Sequence, residues 1–292
     1  MSEHKGSYYL PQPSKWPLIG SIGIFCMLFG AANWLHGKSF GAVMFGIGIM
    51  IIIYMIFGWF GTVIRENQAG LLDDHQVEGS FRLGMIWFIF SEVMFFATFF
   101  GALFYARVIS VPWLGGEGGG DLTHVLLWPN FVAEWPLLNP PNPDTVTGPR
   151  EVMETWEIPA LNTLILLTSG VTITIAHWGL LKAKRLQLII GQILTVMLGI
   201  TFLSMQAMEY GQAYLDKGLR LDAGIYGNTF FMLTGFHALH VTLGTIMLMV
   251  ILGRILKGHF TPKHHFAFEA VAWYWHFVDV VWLFLFVFVY WI

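Results

Sequence analysis

The residues of this sequence that could do chemistry are ionisable side chains within long apolar stretches. Glu92 is the first of them, and Phe95, Phe96, Phe99 and Phe100 follow it closely. A carboxyl group in such surroundings is either protonated at neutral pH or matched to a hydrogen-bond donor on another segment. The sequence therefore predicts that Glu92 handles a proton. The alternative is that Glu92 is neutral and forms a hydrogen bond between two helices.

Two later segments carry polar residues at helical spacing. His237 and His240 are three residues apart, so on a helix one lies above the other. Glu269, His276 and Asp279 are separated by seven and by three residues, which places them in one narrow stripe. Histidine and carboxylate ligands from two helices could form a metal site. No H-E-x-x-H motif is present, and pairing between neighbouring helices explains the pattern without a metal, so we expect five interhelical polar partners.

Helical rise predicts which of these groups lie at the same depth. If the spans begin at Leu83 and Phe266, Glu92 lies about 13 Å and His276 about 15 Å from the same side. Asp279 and His240 both reach roughly 20 to 24 Å by the same arithmetic. The depths predict that Glu92 pairs with His276 and Asp279 with His240. A carboxyl beside an imidazole can hold a proton near neutral pH.

The composition shows what must position these groups. The 292 residues are 56% hydrophobic and only 11% charged, whereas soluble domains carry roughly 25% charged residues. The chain is therefore an integral membrane protein. A net charge of −3 leaves no basic face for a phosphate backbone, which excludes nucleic acid as an expected partner. The single cysteine, Cys26, excludes an internal disulfide, a cysteine-rich metal cluster and a c-type haem attachment pair.

Seven segments are apolar over the roughly 20 residues that a membrane-crossing helix needs. They are residues 17–35, 40–64, 83–109, 158–181, 186–208, 225–256 and 266–291. Residues 110–157 contain glycine runs and an Asn-Pro-Pro-Asn-Pro stretch, which are typical of turns, and are predicted to form a large exposed loop. The fold class is therefore an all-α membrane protein with seven transmembrane helices.

Charge and small residues predict the orientation and the division of the chain. Lys182, Lys184 and Arg185 form the tightest basic cluster, in a short turn, and by the positive-inside rule they place the N-terminus inside and the C-terminus outside. Glycines recur in the first two spans, which predicts close packing of those helices. These glycines are Gly20, Gly23, Gly30, Gly41, Gly46 and Gly48. We therefore expect a two-helix unit (1–64), a cytoplasmic loop (65–82) and a five-helix bundle (83–292) whose long loop, 110–157, faces outward.

Four motifs carry a resemblance to a known family. They are Ser91 to Phe96, Leu161 to Thr172, Gly235 to Val241 and Phe268 to Trp282. Shorter matches occur at Pro13 to Pro17, Val63 to Glu66 and Glu209-Tyr210. With these motifs the chain resembles cytochrome c oxidase subunit III over nearly its whole length.

The resemblance implies a non-catalytic core subunit of an aa3-type cytochrome c oxidase, the terminal respiratory complex that reduces dioxygen to water and pumps protons. It implies that haem a and copper lie in the partner subunits I and II and that this chain holds neither. Cytochrome c is expected to be a partner of the complex and not of this chain alone. Phospholipid is expected in a cleft between helices 1–2 and helices 3–7. Glu92 then corresponds to the family's buried carboxylate, which supports proton uptake. Arg82 and Arg254 correspond to lipid-headgroup arginines, and Arg65, which flanks the same inner loop, is a further cation for a headgroup.

The sequence departs from the family pattern in three places. Residues 59–62 read Trp-Phe-Gly-Thr where Trp-Trp-Arg-Asp is usual, so one basic headgroup partner is missing. Leu72-Asp73-Asp74, followed by His75, replaces a usual His-His pair. The segment 110–157 is longer than in mitochondrial members, which favours the bacterial inner membrane over the mitochondrial inner membrane.

Two alternatives predict different architectures. The third subunit of a quinol-oxidising relative typically has only the last five spans, and seven are present here. A seven-span transporter could use Glu92 and the two histidines, His237 and His240, as a proton relay. Transporters of this size commonly show broken helices or an internal repeat, and the sequence shows neither.

Overall fold

The computed structural model describes residues 13–70 and 75–292, and these residues form helices and connecting segments without a β-strand. The helices are α1 (Trp16–Leu35), α2 (Ser39–Gln68), α3 (His75–Phe104), α4 (Val111–Leu114), α5 (Asp121–Leu127), α6 (Ile158–Leu181), α7 (Arg185–Leu215), α8 (Gly224–Leu256) and α9 (Phe266–Leu285). Two π-helical segments, Tyr105–Ser110 and Phe286–Trp291, continue α3 and α9. Seven of the helices, all except the short α4 and α5, are long and apolar enough to cross a membrane.

The predicted fold class is confirmed, and the differences lie at the helix ends. Helix α6 has the predicted bounds, whereas α2 continues to Gln68 and α7 to Leu215. Hydropathy marks the part of a helix that lies in hydrocarbon, but backbone hydrogen bonding continues into the polar zone beyond it. The largest difference is in α3, which begins at His75 and not at Leu83.

The chain divides into two compact units between Phe81 and Arg82. In the first unit α1 and α2 form a hairpin whose backbones touch at glycines. A Cβ atom on Gly30 would overlap the backbone of Phe45, and one on Gly48 would overlap the backbone of Met27. The predicted close packing of the two helices is therefore confirmed. Gly46 is the exception among the predicted contact glycines, because no atom lies within 4 Å of its Cβ position.

This difference between two neighbouring glycines gives a matched test. We expect Gly48→Ala to destabilise the hairpin by about 1–3 kcal/mol, because the added methyl group meets backbone that cannot rotate away. Gly46→Ala should be neutral or stabilising by up to about 1 kcal/mol, because alanine is the better helix former and the site is open. Unfolding in increasing sodium dodecyl sulfate, followed by tryptophan fluorescence, measures both. Equal effects would contradict the close approach at Gly48.

The second unit is a bundle whose core is built around tryptophans of α9. Trp275 and Trp282 are 0% and 1% exposed. The Trp275 indole N–H donates to Ser169 Oγ at 2.8 Å, and that of Trp282 donates to Thr163 Oγ1 at 2.9 Å, so both bonds tie α9 to α6. The glycine at position 244 makes room for the ring of Trp275, since a Cβ there would lie 2.9 Å from the indole.

The segment 110–157 is less open than predicted. It contains the short helices α4 and α5, so its description as a loop alone is wrong. Val111, Phe131 and Leu137 form a small buried cluster, and Met153 joins the main core. The glycines and prolines that signal turns also allow a chain to fold back on itself, and hydropathy windows chosen for membrane helices overlook such short apolar clusters.

Candidate functional site

The centre of the candidate site is a carboxyl–imidazole pair that joins α3 to α8. Glu92 Oε2 lies 2.9 Å from His240 Nε2, and His240 Nδ1 lies 2.7 Å from the backbone oxygen of Phe236, one turn earlier in α8. A carbonyl oxygen can only accept a hydrogen bond, so Nδ1 carries a proton. At 2.9 Å the contact between Nε2 and Oε2 is a hydrogen bond when one proton lies between them, either on the imidazole as an ion pair or on the carboxyl as a neutral pair.

Aromatic rings surround this pair. The centroid of the His240 ring lies 5.0 Å from that of Phe96 and 5.9 Å from that of Phe95, and Tyr274 stacks on it at 6.4 Å. The side chain of His240 is 11% exposed and that of Glu92 is 22% exposed. The rings exclude water from the imidazole, which strengthens the electrostatic interaction inside the site. Glu92 is the more exposed member of the pair.

The two pairs predicted from depth are both wrong, and for Glu92 the reason is the start of α3. Counted from His75, Glu92 lies about 26 Å along its helix, and His240 lies about 24 Å from the end of α8 at Leu256. The two residues therefore match each other. His276 lies instead beside Asp279, three residues later on α9, with 3.7 Å between Nδ1 and Oδ2.

The pair of His276 and Asp279 lies against α6. Thr174 Oγ1 is 3.3 Å from His276 Nε2. The carboxylate of Asp279 occupies the space left by Gly170, where a Cβ atom would overlap Oδ2. The side chain of Asp279 is 7% exposed, but that of His276 is 46% exposed. The pair is thus anchored on one side and open on the other.

The other predicted polar partners also join helices. His237 is fully buried, and its Nε2 donates to the backbone oxygen of Val278 at 3.1 Å, which links α8 to α9. Glu269 of α9 accepts a charged hydrogen bond from Arg82 of α3 at 2.5 Å. Within the described part of the chain, no group of three or more His, Cys, Asp or Glu residues is arranged to hold a metal ion. The predicted contacts between helices are therefore observed for His237 and Glu269.

The three arginines predicted as lipid contacts differ in their surroundings. Arg82 is paired with Glu269, and its guanidinium also lies 5.5 Å from the Phe266 ring. Arg254 is 8% exposed, with its guanidinium 4.5 Å from the ring of Phe260. Arg65 belongs to the first unit, is exposed and donates to Thr62 Oγ1 at 3.1 Å. The departure at residues 72–74 lies outside the described residues.

Sequence reasoning missed a buried carboxyl group in α7. Glu209 is 0% exposed, and among the described residues neither of its oxygens has a hydrogen-bond partner. The predicted span ended at Met208, which put Glu209 outside the membrane. The helix continues for about two more turns, to Leu215, and keeps Glu209 within the bundle. The signal that could have revealed this buried carboxyl is the Glu209-Tyr210 match to the family. That match singled out the position but did not explain what the side chain does there.

An acidic pocket of about 230 Å³ lies beside Glu209. The Lys217 amine is 3.4 Å from Glu151 Oε2 and 3.8 Å from Glu154 Oε1. A hydrogen bond with Glu154, together with repulsion between the two carboxylates, raises the pKa of Glu157 above its usual range. The acidic groups of the pocket are therefore held together partly by the ion pairs with Lys217 and partly by contact between carboxyl groups.

The comparisons with known proteins cover the whole chain. A sequence model for cytochrome c oxidase subunit III matches residues 6–139 and 144–292. Proteins named cytochrome c oxidase subunit 3 from Formosania lacustris and Cyprinus carpio are each 40% identical over 291 residues, which is 100% of this chain and 99% of each relative. The protein of that name from Arabidopsis thaliana is also 40% identical, over 100% of this chain and 98% of its own length.

Proposed function

Because the chain belongs to the cytochrome c oxidase subunit III family, we propose that it serves as a non-catalytic core subunit of an aa3-type oxidase. In this proposal haem a and copper reside in subunits I and II, which bind this chain, and cytochrome c delivers electrons to the complex. Dioxygen is reduced to water there, with proton pumping. The donor set agrees with this division of labour, because the chain has one cysteine and its intramembrane histidines contact neighbouring helices.

The observation that carries a functional role is the pair of Glu92 and His240. Its one shared proton, the closed aromatic side and the partly open carboxyl make it a site that can take up a proton and hold it at membrane depth. We propose that the pair supports proton uptake by the catalytic subunit. It does so without touching the oxygen-reducing centre. The Phe236 carbonyl keeps the imidazole in one tautomer, so the proton is held at Nε2 or Oε2.

Purification of the complex in mild detergent tests the proposed function. We expect this chain to copurify in equal amount with two larger subunits that show haem a absorbance. Metal analysis of the separated chain should find far less than one copper or iron per chain, because its histidines and carboxylates are engaged with each other. A colourless chain that purifies alone would contradict the subunit role. One tightly bound copper or iron per separated chain would contradict the non-catalytic role.

The same proposal includes bound phospholipid, and the surroundings of Arg254 support it as the main headgroup contact. Arg82 has a carboxylate partner, whereas the buried guanidinium of Arg254 is flanked by an aromatic ring, and no ion pair with it occurs among the described residues. A partly buried cation needs a compensating anion. We propose that the phosphate of a phospholipid headgroup supplies it, with Arg82 in a supporting role. Arg65 is proposed separately, as a headgroup cation of the first unit.

Arg254→Gln should therefore reduce the phospholipid that copurifies with the complex, by about one headgroup per chain. Lys257→Gln is the matched control, because it removes a positive charge from an exposed residue at the end of the same helix. Phosphorus per haem a is the measurement. We expect loss with Arg254→Gln and none with Lys257→Gln. Unchanged phosphorus in both variants would contradict the headgroup role of Arg254.

The proposed location is the bacterial inner membrane, with the N-terminus and the turn at Lys182 to Arg185 on the cytoplasmic side. The length of the segment 110–157 and the positive-inside rule support this arrangement. The acidic pocket beside Glu209 then faces outward, on the side opposite the basic turn.

A further inference from the structure

The short helix α5 presents an apolar face that the rest of the chain leaves open. Three aliphatic side chains, Leu122, Val125 and Leu126, follow positions i, i+3 and i+4, so they share one face of the helix. Their exposed fractions are 75%, 64% and 74%. His124, on the opposite side, is only partly exposed. Contiguous exposed apolar side chains of this kind mark a site of interaction with a membrane or a protein.

The opposite side of α5 is held against the end of the third membrane span. This span includes α3, the π-helical segment that follows it and α4, and it runs from Gln76 to Leu114. His124 Nδ1 lies 3.2 Å from the backbone oxygen of Leu114. A Cβ atom on Gly120, the residue before α5, would overlap the backbone oxygen of Trp113. Helix α5 therefore lies beside the residues at which this span ends.

Exposed apolar surface of the span reaches the same level. Large apolar side chains near its end are exposed, and these are Phe104, Tyr105, Val108, Ile109 and Trp113. Helix α5 itself has seven residues and is about 10 Å long, which is too short to cross a hydrocarbon layer of roughly 30 Å. The apolar face of α5 therefore adjoins a surface that is suited to contact acyl chains, at one end of a membrane span.

We propose that α5 lies in the membrane–water interface at this end of the third span, with Leu122, Val125 and Leu126 inserted among the acyl chains. Amphipathic helices bind membrane surfaces in this way. Trp113 and Trp128, which flank α5 in the sequence, are of the residue type that is enriched at membrane interfaces. A protein partner fits this face less well, because the energy of protein interfaces comes mainly from Trp, Tyr and Arg, and leucine and valine contribute less often. The placement depends on the membrane spans and not on the proposed role of the chain in the oxidase.

A photo-reactive diazirine amino acid at Leu126 tests the placement. The purified protein, with the subunits that accompany it, is reconstituted in vesicles of phosphatidylethanolamine and phosphatidylglycerol and illuminated. A diazirine reacts with whatever it touches, so the mass of the product distinguishes acyl chain, protein and water. We expect phospholipid adducts at Leu126 and water adducts at Asp144, an exposed residue of the same segment, 110–157. Water adducts at Leu126, or crosslinks to another subunit or to a second copy of this chain, would overturn the inference.

Hydrogen exchange gives a second measurement. An isolated helix of seven residues is not stable in water, so insertion into the membrane should protect the amides of α5. We expect Leu126→Ser to speed their exchange in vesicles by about tenfold or more, because one leucine side chain is no longer buried in lipid. Exchange at residues 142–147 is the internal control and should not change. Unchanged exchange of α5 in this variant would contradict the insertion, since a leucine that faces water contributes little to stability.

Discussion

Glu92→Gln should leave the assembled oxidase and its haem spectra intact while slowing turnover, with the largest effect at alkaline pH. Glutamine retains the shape of the side chain and a hydrogen bond to His240 Nε2, but it cannot release a proton. Proton supply from water is scarcest at high pH, so the loss of a holding site matters most there. We expect turnover to fall about two- to tenfold, well below the roughly 10²- to 10⁴-fold loss caused by removing a catalytic acid or base.

The measurement is steady-state oxygen consumption, together with the lifetime of the enzyme during turnover, from about pH 6 to about pH 9, the range around histidine titration. Ser91→Ala is the control on the same helix, because the Ser91 hydroxyl bonds to the Phe88 oxygen of its own turn and is exposed. It should match the unaltered enzyme throughout. If Glu92→Gln also matches it at every pH, Glu92 has only a structural role.

Trp275→Ala should cause the largest loss of stability among single substitutions in the bundle. The indole is fully buried against α6 and α8, so its removal leaves a cavity that rigid helices cannot close and deprives Ser169 of its donor. Large-to-small changes at such positions cost about 3–5 kcal/mol. The change in the free energy of unfolding is measured by adding increasing detergent to the purified complex and recording how much of this chain remains bound.

Trp178→Ala is the matched comparison for Trp275. Trp178 is 54% exposed on α6, so its removal creates no internal cavity and should cost less than about 1 kcal/mol. A loss of similar size in both variants would show that the packing around Trp275 does not hold the bundle together.

The helices could be predicted from the sequence because each membrane span must satisfy its own backbone hydrogen bonds within one apolar segment. The same reasoning found Glu92, His240, His276 and Asp279, since ionisable residues stand out in such segments. It assigned them to the wrong partners. A depth estimate depends on the residue where a helix starts, and the polar first two turns of α3 carry no hydropathy signal.

The buried Glu209 and the small core of segment 110–157 were missed for a related reason. Both lie where an apolar segment is followed by a segment of mixed polar and apolar residues. Neither the hydropathy window nor the turn residues predict burial there. Gly46 shows the same limit within a helix. Glycine content predicts that two helices approach closely, but the rotation of each helix decides which glycine is at the contact.

The bond between His240 Nδ1 and the Phe236 oxygen leaves only the other ring nitrogen, Nε2, to face Glu92. With its one shared proton the pair with Glu92 has no net charge, whichever atom holds the proton. Release of that proton leaves a single negative charge in a low-dielectric site, at a cost that grows with desolvation. If the pair handles a proton as proposed, release of that proton therefore requires a second positive charge to arrive nearby and keep the site neutral.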